Sequence, residues 1–278
     1  MSDTDVATTT TDEAEDEASA AGGLREDGRT PFAKFVHYFG MPIFLALVLL
    51  ALYLWLQGQD LGVVEERNLR LDRLLAITGA HVRLTIYSSI IVLLLAIPLG
   101  IVATRPAAKN IAPAIIGLGN AGQAIPSLGL LGLIFYIART TPLLPSTGVV
   151  PAVIALVAYS FLPILRNTMV GLQQVDAFVL EAGRGMGMSN SRVLRKLELP
   201  LAVPVILAGI RTALVLNVGT ATIVFLTGGD GLGRVIFSGF QLQRTSVLVT
   251  GSVLVAVLAL LIDHLAGVIE DVLTPKGL

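Results

Sequence analysis

Six long apolar stretches, each almost free of charged side chains, dominate this sequence. They lie near residues 41–57, 84–104, 111–137, 149–165, 201–226 and 246–266. A helix rises 1.5 Å per residue, so about 20 apolar residues are needed to cross the hydrocarbon core of a bilayer. Because that core offers no water to pair with free backbone groups, such stretches cross it as helices. We therefore predict an all-α polytopic membrane protein with about six transmembrane helices.

The composition excludes an ordinary water-soluble domain. Hydrophobic residues make up 54% of the 278 residues and charged residues only 14%, whereas charged side chains are about 25% of a typical soluble protein. The sequence contains no cysteine. Structural disulfides and thiolate catalysis are therefore removed from the candidate chemistries.

The first 30 residues differ in character from the rest of the chain. They hold nine of the twenty acidic residues and very few bulky apolar ones, so they cannot bury enough surface to offset the entropy of ordering. No basic region leads directly into an apolar core there, which argues against a secretory signal peptide. We predict a disordered acidic cytoplasmic tail at residues 1–30 and a transmembrane domain at residues 31–278.

Six crossings would place both termini and the 166–200 loop on the same side of the membrane. That side holds eleven Lys and Arg residues, against seven on the other side. Cytoplasmic loops carry an excess of positive charge, so both termini and this loop are predicted to be cytoplasmic. The charged segment 61–83 has helical amphipathicity and is predicted to form a surface helix between the first two spans.

The 166–200 loop has a pattern typical of two short amphipathic helices around a glycine-rich corner. Asp176 is placed to cap the first helix, and Ser189 or Ser191 the second. The three alternating glycines between them favour a tight turn or the close approach of a partner's backbone. Pro200 can open the next span, because a missing N–H does little harm in the first turn of a helix.

The spacing within this loop resembles the EAA loop of membrane permeases in ATP-binding-cassette (ABC) importers. The pattern is Glu-Ala-small, three residues, Gly, nine residues, and aliphatic-x-Leu-Pro, and it falls on Glu181, Ala182, Gly183, Gly187, Leu197, Leu199 and Pro200. Gly183 replaces the commoner alanine, and Leu197 replaces isoleucine. In that family the element is a coupling helix that docks in a groove of the ATP-hydrolysing subunit. The resemblance implies the MetI-like, type I importer permease fold with a cytoplasmic coupling helix.

Further runs resemble the osmoprotectant branch of these permeases, which handles glycine betaine, choline, carnitine or related quaternary ammonium compounds. The runs occur between about residues 80 and 270 and cover 122–128, 162–168, 199–212, 217–222 and 228–233. The resemblance implies a transport subunit that is not an enzyme and that binds no cofactor or metal, since ATP is bound by a partner subunit. The sequence has no G-x-x-x-x-G-K-[ST] motif, which agrees with that expectation.

The same resemblance implies the partners and the location. The expected partners are nucleotide-binding subunits, an extracytoplasmic solute-binding protein and a second copy of this permease or a related one. The complex is expected at the cytoplasmic membrane, and no nucleic acid is expected to bind. Aromatic residues make up only 6% of the sequence, although a quaternary ammonium is usually recognised by aromatic faces. Cargo selection is therefore expected mainly in the binding protein, which the glycine-rich run 228–233 is expected to face as an outer loop.

Polar residues inside the spans are candidates for the translocation pathway. Gln123, Pro126 and Ser127 would interrupt the third span, where irregular backbone is tolerated only against protein or water. Asn217 and Thr220 share one face of the fifth span. Interhelical hydrogen bonding is the alternative role for both groups, and we favour it for Asn217 and Thr220.

Other functions stay open at this point. An importer for an amino acid or another small solute would carry the same coupling loop. A carrier or channel driven by an ion gradient would use Arg211, Asp263 and His264 as coupling groups, although Arg211 is expected at the interface, where its charge can reach water. An intramembrane enzyme is the third alternative, but no HExxH motif, paired histidines or acidic dyad occurs at catalytic spacing.

Overall fold

The computed structural model describes residues 31–141, 145 and 148–274, and every regular element within them is helical. The predicted all-α fold is therefore confirmed for this part of the chain. Its α-helices, numbered in chain order, are α1 (Pro31–Gln57), α2 (Val63–Leu69), α3 (Leu71–Ala103), α4 (Ala112–Ala124), α5 (Ser127–Thr140), α6 (Val149–Gln173), α7 (Ala177–Gly185), α8 (Asn190–Val193), α9 (Leu199–Thr220), α10 (Gly233–Gln241) and α11 (Thr245–Leu273). The predicted tail at residues 1–30 lies outside the described residues.

Three short helical segments of other types join some of these helices. They are a 3₁₀ turn at Pro106–Ala108, a π-helical turn at Leu194–Glu198 and a 3₁₀ segment at Ala221–Thr227. The chain divides into two units after Phe44, within α1. In the described part of the first unit the rings of Phe35 and Phe39 stack with centroids 5.2 Å apart. All packing described below lies within the second unit.

The long helices account for the predicted membrane spans. Among the described residues, five helical segments are long and apolar enough to cross a bilayer: α1, α3, α6, the continuous stretch Asn190–Thr227 and α11. A sixth span results if α4 and α5 are counted together, and these two helices meet at an angle of 106°. The break falls at Ile125 and Pro126, because a proline disfavours helical backbone at the residue before it. The prediction of about six spans is confirmed, with the interruption at Pro126.

The prediction of a single surface helix over residues 61–83 is wrong. The segment divides between α2 and the first turns of α3, a helix of 33 residues. Its polar residues are partly internal, since Glu65 is 6% exposed and His81 is completely buried. Glu65 lies 3.6 Å from Arg244 and 3.5 Å from the hydroxyl of Ser246. These partners are far away in the sequence, so the segment's charge pattern alone could not reveal them.

Helix α6 lies at the centre of the second unit and packs against α3, α4, α5 and α9. One buried apolar cluster joins α3, α6 and α9 through Val92, Ala96, Phe161, Ile164, Leu165 and Ala213. Small residues stand where the helices cross most closely. A β-carbon at Gly122 would collide with the carbonyl oxygen of Ala158, and one at Gly209 would collide with the Asn167 side chain. Such close backbone approach is a main source of helix association in membranes.

Replacing Gly209 by alanine is expected to destabilise the fold by about 1–3 kcal/mol, as overpacking commonly does. The added carbon would also lie 2.9 Å from the backbone oxygen of Pro163, which cannot move without shifting α6. Thermal unfolding of the purified protein in detergent measures the effect. Gly132→Ala is the matched control, because a β-carbon there would meet no heavy atom within 4 Å beyond the adjoining backbone of its own helix. Equal unfolding temperatures for the two variants would contradict the packing argument.

Candidate functional site

Residues 176–200, called here the coupling hairpin, begin with a capped helix. The Asp176 carboxylate accepts a hydrogen bond of 2.8 Å from the backbone N–H of Phe178 at the start of α7. This contact satisfies one of the free N–H groups of the first turn. The cap predicted at Asp176 is therefore confirmed. Ser189 precedes α8 as the capping residue, although its side chain forms no capping hydrogen bond there.

The corner of the coupling hairpin is a glycine-dependent helix end. Gly187 has a φ of +81°, a left-handed conformation that costs other residues about 1–2 kcal/mol. Its N–H donates to the carbonyl of Arg184 at 2.9 Å, and the N–H of Met188 donates to the carbonyl of Gly183 at 3.1 Å. These two bonds form a Schellman motif that satisfies the last carbonyls of α7. The predicted glycine turn is thus confirmed.

The second arm of the coupling hairpin is the beginning of a membrane helix. From Asn190 the chain stays helical through the π-turn Leu194–Glu198 and into α9, so that Asn190–Thr227 forms one candidate span. Pro200 lies in the first turn of α9, but it does not open the span as predicted, because the helix already begins at Asn190. Two separate short helices were expected from the sequence. Only the first arm is separate, and any displacement of the second arm is carried directly by α9.

The residues of the predicted coupling loop divide into two sets. Glu181, Ala182 and Gly187 are exposed, whereas Gly183 is buried and Leu197, Leu199 and Pro200 are partly buried. A β-carbon on Gly183 would lie 2.6 Å from Cδ1 of Leu197. The two positions that differ from the commoner pattern therefore lie against each other inside the hairpin. Within the internal set, Gly183 and Leu197 hold the two arms together, while the exposed set is available to a partner.

Large apolar side chains are also exposed on the first arm and at the corner. Phe178 is 79% exposed and Met186 is 71% exposed, and Val179 between them is 38% exposed. Their neighbours Glu181 and Ala182 are exposed as well. An exposed apolar patch rimmed by polar residues is typical of a protein interaction surface.

A partly buried ion pair joins the base of the coupling hairpin to the end of α3. Arg105 donates from Nη1 to Oε1 of Glu198 at 3.2 Å and from Nη2 to Oε2. Glu198 is only 4% exposed, and Nε of Arg105 also donates to the carbonyl of Ile101 at 3.2 Å. Sequence reasoning missed this pair. No local pattern connects the two residues, which lie 93 positions apart in the chain.

The predicted pathway residues in the broken span are placed beside α6. Gln123 donates from Nε2 to the carbonyl of Tyr159 at 3.1 Å, which is the interhelical role considered for it. Pro126 is exposed, and Ser127 begins α5 and is partly buried. A pathway role for these three residues stays a prediction.

The polar residues of α9 occupy different environments. Asn217 is 1% exposed and donates from Nδ2 to the hydroxyl of Ser89 on α3 at 3.1 Å. This is the favoured alternative for Asn217, interhelical hydrogen bonding. Thr220 is partly buried at the end of α9, and a pathway role for it stays a prediction.

Arg211 is paired rather than simply reaching water. Its Nε and Nη2 donate to the two carboxylate oxygens of Asp263 at 2.6 and 2.7 Å, and Nη1 lies 3.8 Å from Glu270. Two parallel hydrogen bonds of this kind form the strongest arginine–carboxylate arrangement. The pair joins α9 to α11, so two of the three coupling groups named for an ion-driven carrier are engaged with each other.

A groove of about 880 Å³ runs beside α3, α4 and α6. Its lining includes Tyr87, Ile91, Leu95 and Leu99 on α3, together with Gly122 and Ile125 of the broken span. Residues 87, 91, 95 and 99 repeat every fourth position, so they form one stripe along the helix. The groove is therefore an apolar surface that runs along much of α3.

Known proteins are similar to this chain in sequence and in fold. Residues 96–276 match the family described as the binding-protein-dependent transport system inner membrane component. The chain is 43% identical over 201 residues to the glycine betaine/carnitine/choline transport system permease protein OpuCB of Bacillus subtilis, which covers 72% of this chain and 88% of that protein. It is 40% identical over 219 residues to the osmoprotectant import permease protein OsmY of Salmonella typhimurium, which covers 79% of this chain and 88% of that protein.

A solved structure supports the fold. The chain aligns with an inward-facing structure of the MetNI methionine ABC transporter with a TM-score of 0.63 and 24% sequence identity, covering 71% of this chain and 94% of that one. The type I importer permease fold inferred from the coupling loop is therefore confirmed. The family description also indicates an inner membrane location and a solute-binding partner. The chain thus belongs to the family of inner membrane components of binding-protein-dependent transport systems.

Proposed function

We propose that this permease serves an ATP-driven importer of osmoprotectants, namely glycine betaine, choline, carnitine or related quaternary ammonium compounds. The observation that carries the proposal is the similarity to permeases named for these solutes, at 43%, 44% and 40% identity over at least 72% of the chain. An importer of an amino acid has less support. The methionine transporter matches at only 24% identity, which reports the fold and not the cargo.

In the proposed mechanism, separate subunits bind and hydrolyse ATP, and these subunits also bind the coupling hairpin. The exposed side chains of Phe178 and Met186 supply the apolar surface for this contact. Complete burial of a side chain of this size stabilises an interface by about 2 kcal/mol. A second copy of this permease, or a related permease, completes the membrane part. The hairpin end faces the cytoplasm, where basic residues accumulate.

Movement of the docked hairpin reaches the membrane helices by two routes. The first route is α9, which continues from the second arm through the π-turn Leu194–Glu198. Turns of this type are often found at functional sites within helices. The second route is the ion pair between Arg105 and Glu198, which joins the end of α3 to the start of α9. A pull on the hairpin would therefore move α3 and α9 together.

Import into proteoliposomes that contain the permease, its ATPase and its binding protein tests the proposed function. We expect ATP-dependent uptake of labelled glycine betaine, choline or carnitine, and little uptake of methionine. Failure to import any quaternary amine would rule out the osmoprotectant function. Uptake that persists without ATP and is abolished by a protonophore would instead favour a carrier driven by an ion gradient.

Placing a charge on the exposed apolar surface of the coupling hairpin should prevent the ATPase from docking there. Phe178→Asp and Met186→Asp are each expected to lower ATP-dependent uptake at least tenfold, because an unpaired carboxylate would be buried in the interface. Co-purification of the ATPase with the permease measures docking directly. Val63→Asp is the control, since Val63 is 83% exposed but lies in α2, outside the coupling hairpin. Normal uptake and normal co-purification of the two hairpin variants would contradict the docking surface.

Removing Arg105 should weaken both the fold and the coupling. In Arg105→Gln the buried carboxylate of Glu198 loses its counter-charge, which is expected to lower the free energy of unfolding by about 3 kcal/mol. The double variant Arg105→Gln with Glu198→Gln should recover part of this loss. Arg70→Gln is the matched control, because its bidentate pair with Asp72 is 66% exposed on both sides and should matter little. A double variant no more stable than the single one would argue against the pair.

A further inference from the structure

A second cavity lies at the end of the helices opposite the coupling hairpin. Its volume is about 420 Å³, within the range of about 300–1,000 Å³ typical of small-molecule sites. The walls come from α3, from the start of α6 and from the loop that follows the 3₁₀ segment Ala221–Thr227. On α3, Arg83 in this cavity lies about 33 Å along the helix axis from Arg105 at the hairpin end. We call this space the outer cavity.

One face of α3 forms a wall of the outer cavity and contributes its cation and its aromatic ring. Ala80, Arg83, Leu84 and Tyr87 all line it, and they recur at the i, i+3, i+4, i+7 spacing of a single helix face. Asp230 lines the cavity from the glycine-rich loop. The cavity therefore combines a cation, an aromatic ring and an anion on walls that are otherwise apolar or backbone.

The two charged residues of the outer cavity differ in whether they already form an ion pair. Asp230 lies 2.9 Å from Arg234, in the first turn of α10, and forms an ion pair with it. Arg83 is exposed, and within residues 31–141, 145 and 148–274 no carboxylate lies within ion-pair distance of it. The Tyr87 side chain is 56% exposed. A guanidinium and a tyrosine ring are thus available to a ligand on the same face of one helix.

A buried histidine holds the glycine-rich loop against this face. His81 is completely buried, and its Nδ1 accepts the backbone N–H of Leu232 at 3.2 Å. The proton therefore belongs on Nε2, which donates to the carbonyl of Val218 at 3.1 Å. His81 is in this way a positioning residue that joins α3, α9 and the loop. A second hydrogen bond joins the residue before α6 to the end of the 3₁₀ segment: the N–H of Gly148 donates to the carbonyl of Thr227 at 2.9 Å.

The outer cavity adjoins the apolar groove. Tyr87 and Val149 line both spaces, and the groove continues along α3 through Ile91 and Leu95. A solute entering the outer cavity would therefore meet polar side chains first and an apolar surface next. The polar side chains at the entrance are suited to recognising a solute, and the apolar surface beyond them is suited to binding that solute weakly as it passes along α3.

We propose that the outer cavity is a recognition site for zwitterionic quaternary ammonium solutes, in which Arg83 holds the carboxylate and Tyr87 the ammonium group. Guanidinium groups bind carboxylates through two parallel hydrogen bonds, and the faces of aromatic rings attract quaternary ammonium ions. This inference rests on the proposed function and extends it to the residues that distinguish solutes. Glycine betaine and carnitine carry a carboxylate, whereas choline carries only a hydroxyl group there and cannot form the bidentate ion pair with Arg83.

Uptake of the three solutes by the complete importer in proteoliposomes tests the role of Arg83. Arg83→Gln is expected to reduce uptake of glycine betaine and carnitine about tenfold, the typical effect of losing one charged hydrogen-bonding partner, and to leave choline uptake within about twofold. Arg83→Lys keeps the charge and should retain part of the uptake. Arg67→Gln is the matched control, because Arg67 is an exposed arginine of α2 outside the cavity, and it should leave all three solutes unaffected.

Tyr87 provides an independent arm of the experiment. Tyr87→Leu is expected to reduce uptake of all three solutes, since each of them carries the ammonium group. Tyr87→Phe keeps the ring face and should restore most of the uptake. Equal uptake by the leucine and phenylalanine variants would overturn the role of the ring.

The remaining outcomes separate this inference from the proposed function. A wild-type importer that takes up no quaternary amine contradicts the proposed function itself, before any variant is made. Equal losses of betaine, carnitine and choline in Arg83→Gln would overturn carboxylate recognition and assign Arg83 to binding-protein docking or to the fold. Stimulation of ATP hydrolysis by the solute-free binding protein reports docking, and we expect Arg83→Gln to leave it unchanged. A fall in that stimulation, or unchanged uptake of every solute, would likewise overturn the inference.

Discussion

A charged group that leaves water inside a membrane protein must find a partner, and this constraint determines how the long helices of the permease are joined. Glu198 is almost completely buried, and its charge is stable there because Arg105 reaches it from the end of α3. Arg211 and Asp263 meet the same requirement between α9 and α11. Both pairs have one member on α9 or at its first turn, so electrostatics tie this helix to its neighbours at two levels.

Helix α9 consequently connects the two ends of the molecule. It begins in the coupling hairpin, and near its other end the carbonyl of Val218 bonds to His81. Helix α3 makes a parallel connection, with Arg105 at the hairpin end and Arg83 in the outer cavity. Under the proposed mechanism, a displacement at the hairpin would reach the outer cavity through these helices and the side chains packed between them, since closely packed interiors transmit strain.

Much of the fold was predictable because it depends on local chemistry. The length of the apolar stretches, the break at Pro126 and the cap at Asp176 each follow from a few neighbouring residues. The wrong prediction for residues 61–83 has the opposite cause. His81 sits among charged neighbours in the sequence, but its ring is buried against the backbone of Val218 and Leu232. Hydropathy within a window cannot distinguish a solvated polar residue from one satisfied by a distant backbone.

By itself, the sequence determined the class of the protein and the location of its coupling hairpin, because helix length, helix period and turn chemistry are encoded over short distances. Only the tertiary structure decided which residues of the hairpin are exposed and which, like Gly183 and Leu197, hold it together. It also brought Arg83 and Asp230 to one cavity. The physical reason is that both outcomes depend on the packing of α3, α6 and α9, which places side chains together regardless of their separation along the chain.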